Sequence, residues 1–361
     1  MKHKSDGPSQ ETFVNEGDLG FLEALAGWLD VKPSGLQVAR ASGGHSIETY
    51  IVVGGDRRLV VRCSPRGVVL PTAHDVDREF RFLQALQGTG LPVPEPLLYS
   101  SAGRGVAGWY AMTFIDGVII SGKDLAGCYA TDPNDRTAAS YRVIEAMAQL
   151  HSVDWEERGL RVWLRPGSFV DRQLKRWSSQ FERSLTAVGL DEDLIDGIRD
   201  VAGWLREHKP GQERFSVVHG DYKLNNIVLS REAPSVVRGI LDWEMSSLGD
   251  PLMDLGWFLS FWEETDDPVI PFETFSGVTR LNGFVKRREL VERYCECVGE
   301  SLGNITYYMV FARWKWMIIA VGLLVRRAQE AEGGCGVSES LPELQVVVPP
   351  ILELCRSEMY G

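Results

Sequence analysis

Between Phe215 and Trp257 the chain reads FSVVHGDYKLNNIVLSREAPSVVRGILDWEMSSLGDPLMDLGW. A short apolar run ends in the tight turn His219-Gly220-Asp221, and Asn226 follows five residues beyond the Asp. A second apolar run ends in Asp242-Trp243-Glu244. Short apolar runs bounded by turn residues read as strands. The stretch therefore delivers two carboxylates and an amide from loops at strand ends, held by a rigid frame. A few hard oxygen donors, with places left for water and phosphate, suit a magnesium–phosphate site.

With 361 residues, 44% of them hydrophobic, the chain can bury a large core and is expected to form two lobes rather than one. Charged residues make up 24%, which excludes general disorder. A net charge of −12 argues against a nucleic-acid partner and would tolerate a cationic substrate. Six cysteines are scattered, and Cys295-Glu296-Cys297 has no second pair at zinc spacing, so reduced thiols are expected. The N-terminal MKHKSDGPSQETFVNEG lacks the apolar core of a signal peptide. The longest apolar run, Trp316 to Val325, is too short to span a bilayer. These features predict a soluble, cytoplasmic protein with no membrane partner.

Residues 1–15 read as a polar, disordered tail, 16–115 as an N-terminal lobe and 116–361 as a C-terminal lobe. Phe21, Leu22, Leu25, Trp28 and Leu29 share one helical face, and Pro33-Ser34-Gly35 stops that helix. Leu36 to Ala41, Glu48 to Val53 and Arg58 to Cys63 read as strands, the last two joined by Gly54-Gly55-Asp56. Ser42-Gly43-Gly44 is either an ordinary hairpin turn or a loop whose backbone approaches a phosphate. A helix follows from about Ala73 to Leu86 with Val76, Phe80 and Leu83 as its buried stripe. Glu79 lies on that apolar side and needs a partner, for which Arg62 is the candidate, unless it reaches water at the edge. The connector Leu91 to Pro96 leads to strands at Leu97 to Ser100 and Trp109 to Phe114, before Ile115-Asp116-Gly117 breaks the pattern.

Beyond Gly117 the composition turns helical. Helices are expected over Asn134 to His151, Asp171 to Leu185, Asp191 to Glu207, Lys286 to Val298 and Ile305 to Gln329, with a final one after Pro350. Asp250-Pro251 is an N-cap followed by proline at the first helical position. The helix Ile305 to Gln329 is apolar nearly all round and should lie at the centre of its lobe.

The motifs His219-Gly220-Asp221-Tyr222-Lys223-Leu224-Asn225-Asn226, Ile240-Leu241-Asp242-Trp243-Glu244 and Gly249-Asp250-Pro251-Leu252-Met253-Asp254-Leu255 occur in this order. Val60-Val61-Arg62, Asp77-Arg78-Glu79-Phe80 and Leu91-Pro92-Val93-Pro94 precede them. On these motifs the chain resembles the aminoglycoside phosphotransferase-like family, most closely the branch associated with acyl-CoA dehydrogenases, over about residues 35–330. The resemblance implies an α+β, bilobal protein-kinase-like fold, with a β-rich N-lobe and a mainly helical C-lobe. It also implies an ATP- and Mg²⁺-dependent transfer of phosphate to a hydroxyl of a small molecule, a chemistry that rests on positioning and charge.

Carried over by motif, Asp221 is the catalytic carboxylate and Lys223 steadies the γ-phosphate. Asn226 and Asp242 ligate Mg²⁺, while His219 and Asp254 support the turn. Gly43 and Gly44 cover the phosphates, Arg62 takes the place of the usual strand lysine, and Glu79 pairs with it. Thr113 and Ile115 receive adenine through their backbone, and Met112 lines its pocket or fills the core. Trp243, Glu244, Trp257 and Trp314 are candidates to line the acceptor site, although each Trp more readily fills a core. The chain departs from the branch at His45 and Ile47 in the glycine loop and at Cys63-Ser64 after Arg62. The acceptor suggested by the branch is a hydroxyacyl metabolite or its CoA thioester. An aminoglycoside or macrolide kinase is the second possibility, although Glu263, Glu264, Asp266 and Asp267 form the only acidic cluster and read as a solvated loop. A nucleotide-binding pseudokinase acting through a partner is the third.

Overall fold

A computed structural model describes residues 20–41, 47–64, 75–102, 107–121, 132–185, 191–211, 214–303, 305–331 and 342–360. The chain divides into two compact units, one running to Asp116 and including Gly239–Glu244, the other comprising Gly117–Arg238 and Met245 onward. The sequence assigns everything after residue 115 to the second lobe; the loop Gly239–Glu244 belongs instead with the first unit. Its anchor is the Ile240 N–H, which donates to the Pro92 carbonyl at 2.8 Å.

The first unit opens with α1 (Leu22–Leu29), which ends at Asp30, three residues before Pro33, with a left-handed φ of 56°. The five strands β1 (Gln37–Arg40), β2 (Glu48–Gly54), β3 (Arg57–Cys63), β4 (Pro96–Ser100) and β5 (Trp109–Thr113) form one antiparallel sheet in the order β1-β2-β3-β5-β4. Gly55 supplies the positive φ of 62° at the turn between β2 and β3. Strand alternation sorts β3 into two faces. Leu59, Val61 and Cys63 pack with Phe21, Leu22 and Leu25 of α1 and its N-terminal flank, together with Tyr50 and Trp109. Arg62 points to the other face, toward α2 (Val76–Leu86). That helix starts at Asp75, whose side chain caps the Arg78 N–H at 3.1 Å, and buries Val76, Glu79, Phe80, Phe82, Leu83 and Leu86. The residues expected to begin it, 73 and 74, lie outside the described ones.

The second unit contains, in chain order, β6 (Val118–Ile119), α3 (Pro133–His151), α4 (Phe169–Leu185), α5 (Glu192–Glu207), β7 (Ser216–Val218), β8 (Ile227–Leu229), β9 (Val237–Ile240), β10 (Ser247–Gly249), α6 (Pro251–Phe261), α7 (Arg287–Val298), α8 (Ile305–Ala331) and α9 (Pro342–Tyr360). The last two residues of β9 fall in the first unit. β7 pairs with β10, and β6, β8 and β9 form a second small sheet. Both apolar runs of the opening stretch therefore become strands that end where the motifs begin.

α8 is the axis of this unit, with α4, α5, α6 and α9 packed around it. Its Val310, Phe311, Trp314, Met317, Ile318 and Val321 are buried. The run Trp316 to Val325 looks too short for a bilayer, yet the helix Ile305–Arg327 is long and apolar enough to cross one. In the fold 78% of its most apolar window is buried against protein, as suits a core helix. α6 approaches α8 so closely that a Cβ on Gly256 would lie 2.5 Å from the Tyr308 carbonyl. α9 departs from expectation: it begins at Pro342 and runs through Pro349 and Pro350. Val347, Val348, Ile351 and Leu352 are all buried, so packing on both sides carries the helix past the prolines.

Candidate active site

In the first unit one guanidinium gathers three carboxylates. Register pairs Arg62 of β3 with Tyr110 of β5, so both face α2. Arg62 Nε lies 3.1 Å from Glu79 Oε2, and the Tyr110 hydroxyl donates to the same oxygen at 2.6 Å. Arg62 Nη1 reaches Asp242 Oδ1 at 2.9 Å and Nη2 reaches Glu244 Oε2 at 3.4 Å. Burial alone would lower the Arg62 pKa, but Glu79, Tyr110 and Asp242 outweigh it and hold the guanidinium charged. Burial lifts the fully buried Glu79 carboxyl above the ordinary range, with Arg62 and the Tyr110 hydroxyl pulling it back. Arg78 completes the cluster by donating from Nη2 to the Glu244 carbonyl at 2.5 Å. Asp242 sits at φ 66°, a left-handed conformation at the strand end.

The second unit inverts this pattern around Asp221. β7 leads into His219-Gly220-Asp221, where Gly220 takes φ 83° and a Cβ would come within 2.5 Å of the Met245 carbonyl, so only glycine fits. Asp254, in the first turn of α6, accepts the His219 N–H at 2.5 Å and the Gly220 N–H at 2.7 Å. His151 Nε2 lies 3.4 Å from the same carboxylate and is held by the Tyr294 hydroxyl at Nδ1, 2.7 Å away. Burial would raise the Asp254 pKa, but His151, His219 and the Gly220 N–H together pull it below the ordinary range. The turn is thus pinned by a buried, ionised clamp.

On this turn the Asp221 carboxylate is partly exposed, at 20%. Oδ1 accepts from Trp257 Nε1 at 2.9 Å. Oδ2 accepts from Asn226 Nδ2 at 3.1 Å and faces Lys223 Nζ at 2.9 Å. Asn226 Nδ2 also donates to the Asp221 carbonyl at 2.8 Å, so its amide nitrogen turns inward and its oxygen the other way. The Asp221 N–H donates to His219 Nδ1 at 3.3 Å. Beneath the turn, Lys315 Nζ donates to the Gly220 carbonyl at 3.2 Å and sits 3.8 Å from the Trp257 ring centroid.

Several expected roles change. Trp314 is buried with its N–H on the Ile198 carbonyl at 3.2 Å, and Trp243 is buried with its N–H on the Ile240 carbonyl at 2.9 Å. Both fill cores, with their indole N–H groups satisfied inside the protein. Trp257 holds Asp221, and Glu244 holds Arg62. Of the Thr113 backbone groups expected to meet adenine, the N–H donates to the Glu95 carbonyl at 3.0 Å, and the Thr113 hydroxyl accepts the Glu95 N–H at 2.9 Å. Met112 is buried within the sheet, and Ile115 packs against Gly239. The acidic cluster is not a solvated loop throughout: Glu263 is buried and accepts from Gly277 and Arg280, while Asp267 pairs with Arg287. Gly43 and Gly44 lie outside the described residues. Tyr110 and Lys315 escaped the sequence. The visible signal for Lys315 was a lysine between two tryptophans in a helix apolar nearly all round.

Residues 37–277 match the model of the phosphotransferase enzyme family. Human acyl-CoA dehydrogenase family member 11 is 30% identical over 332 residues, covering 90% of this chain and 40% of the human protein. Mouse acyl-CoA dehydrogenase family member 10 is 29% identical over 333 residues, covering 90% of this chain and 30% of the mouse protein. The chain thus spans 30% to 40% of the length of these relatives. A Ralstonia eutropha JMP134 protein classed provisionally as an aminoglycoside phosphotransferase superposes with a TM-score of 0.73 at 25% identity, covering 93% of this chain and 97% of that one. Choline kinase from Cryptosporidium parvum Iowa II shares the fold, with a TM-score of 0.58 at 13% identity over 88% of this chain and 96% of that one. The β-rich unit and helical unit are those of a protein-kinase-like phosphotransferase fold. Since the family model covers well over half of its residues, the chain belongs to the phosphotransferase enzyme family.

Proposed function

We propose that the protein transfers the γ-phosphoryl group of ATP, as its magnesium complex, to a hydroxyl of a small molecule. The observation that carries this is the partly exposed Asp221 carboxylate, oriented by Trp257, Asn226 and Lys223 on a turn clamped by Asp254. Phosphoryl transfer through a loose transition state needs orientation of the hydroxyl more than base strength. Asp221 would align the acceptor hydroxyl and take its proton as the new P–O bond forms. Lys223 would exchange part of its contact with Asp221 for the γ-phosphate.

The donor chemistry fits magnesium. Asn226 offers an amide oxygen because its nitrogen is held inward, and Asp242 offers a carboxylate beside a second one, Glu244. By motif these residues would hold the ion, which would supply positive charge to offset the charge developing on the transferred group. Arg62 would meet phosphate from the first unit, held there by Glu79. Adenine would rest on Ile115 and the carbonyl side of Thr113.

For the acceptor, a hydroxyacyl compound or its CoA thioester leads, supported by the likeness to acyl-CoA dehydrogenase family members. The experiment is transfer of label from γ-³²P-ATP with Mg²⁺ into a metabolite extract and a panel holding hydroxyacyl-CoA thioesters, an aminoglycoside and a macrolide. Transfer to a hydroxylated small molecule is expected, with a loss of about 10²–10⁴-fold in Asp221→Asn. Equal transfer by both proteins would remove Asp221 from the chemistry. Label on an antibiotic would reassign the acceptor. Tight Mg-ATP binding with no labelled product would favour a nucleotide-binding protein that acts through a partner.

A further inference from the structure

α8 carries one half-buried lysine among its core residues, and it lies directly behind the Asp221 turn. Lys315 Nζ sits 3.8 Å from the centroid of Trp257 and 5.5 Å from that of Trp177. It donates to the Gly220 carbonyl at 3.2 Å. Among the described residues no carboxylate lies within ion-pair distance of it. Burying an ammonium without a carboxylate partner is costly, so its position calls for a cause. The two closest of its contacts, Gly220 and Trp257, lead to the same residue. The Gly220 carbonyl belongs to the peptide whose N–H is that of Asp221. The Trp257 indole donates its N–H to Asp221 Oδ1 at 2.9 Å.

We infer that Lys315 is a positioning residue: its ammonium polarises the Trp257 indole and the Gly220–Asp221 peptide, fixing Asp221 in its reactive orientation. A cation on the face of an indole draws density from the ring and makes its N–H a stronger donor. A cation at a peptide oxygen does the same for the N–H of that peptide, here the one bonded to His219 Nδ1. Charged groups face the ammonium from three elements. Asp221 on the turn and Asp254 on α6 favour its charge, while Arg176 on α4 and Lys223 beyond the turn oppose it. Burial dominates and lowers its pKa to about 8. The contact is therefore switchable just above neutral pH. The inference rests on Asp221 being the reacting carboxylate, but its first test does not.

That test is the indole ¹⁵N–H resonance of Trp257, assigned by its loss in Trp257→Phe and followed from pH 6.5 to 9.5. In the unmodified protein it should shift with a midpoint near 8. In Lys315→Met it should move toward a weaker hydrogen bond and stop responding to pH. In Lys315→Arg, whose guanidinium stays charged, it should keep its low-pH position throughout. A resonance unchanged in Lys315→Met, with its pH response intact, would overturn the inference. The second test is Mg-ATP turnover. Lys315→Met should lower kcat about tenfold at constant KM for ATP and lose the alkaline fall in activity, and Lys315→Arg should restore much of the rate. A kcat and alkaline limb the same in all three proteins would equally overturn it. NMR coupling in a protein that turns over no ATP would instead overturn the phosphotransfer proposal and leave the Lys315 contact standing.

Discussion

The two units hold a charged group in opposite ways. In the first, one cation, Arg62, is ringed by Glu79, Asp242 and Glu244. In the second, one anion, Asp221, is ringed by donors from Trp257, Asn226 and Lys223. In the first cluster Arg62 and Glu79 are buried while Asp242 and Glu244 are partly exposed, so the geometry at its centre depends on neutralising one buried charge with another. The second is partly open and is fixed by a backbone turn, so its geometry depends on Asp254 and Gly220. Removing the central charge should therefore hurt the fold in the first unit and the chemistry in the second.

The largest effect on stability is expected from Arg62→Met, which leaves Glu79 buried without its cation. Unfolding by urea should show a loss of about 3–5 kcal/mol. Glu79→Gln together with Arg62→Met should recover much of it, because no buried charge then remains. A loss under about 1 kcal/mol would mean that the cluster is screened as a surface pair is.

Asp254→Asn comes next: the amide keeps one acceptor oxygen for the backbone N–H groups and loses the other charge-assisted bond, about 1.5–3 kcal/mol. Its sign with pH follows from the lowered pKa of Asp254. The stabilisation is present above the ordinary aspartate pKa of about 3.9 and is lost as pH falls through the lower folded value. The gap between the unmodified protein and Asp254→Asn should be full at neutral pH and close on acidification below that range. A gap independent of pH would assign the loss to packing instead.

Trp257→Phe removes one hydrogen bond to Asp221 and keeps most of the ring. Stability should change by about 0.5–1.5 kcal/mol, and turnover should fall about tenfold with ATP affinity preserved. A drop in ATP affinity as large as the drop in rate would place Trp257 in the nucleotide site.

Much of this contrast could be read in the chain before any coordinates. The apolar runs before His219 and Asp242, the Gly54-Gly55-Asp56 hairpin and the Asp250-Pro251 helix start are local signals, and local sterics produce them. Glu79 on an apolar helix face announced a buried partner, and Arg62 on the preceding strand is that partner. What failed was tertiary. Tyr110 meets Glu79 through a strand register that no single segment encodes. Lys315 meets Gly220 across 95 residues. Trp243, Trp257 and Trp314 are chemically alike, and only packing separates two core residues from one that holds Asp221. Pro349-Pro350 reads as a helix start, but the apolar residues on both sides make it the middle of α9.

The most direct measurement compares Asp221→Asn with the unmodified protein on the same preparations, recording the rate of Mg-ATP turnover beside the equilibrium affinity for Mg-ATP. Turnover should fall by about 10²–10⁴-fold while affinity stays within a few-fold, since in the proposed reaction the group lost would act on the acceptor hydroxyl. Turnover that survives the substitution, or that disappears together with nucleotide binding, would contradict the assignment of Asp221 as the reacting carboxylate.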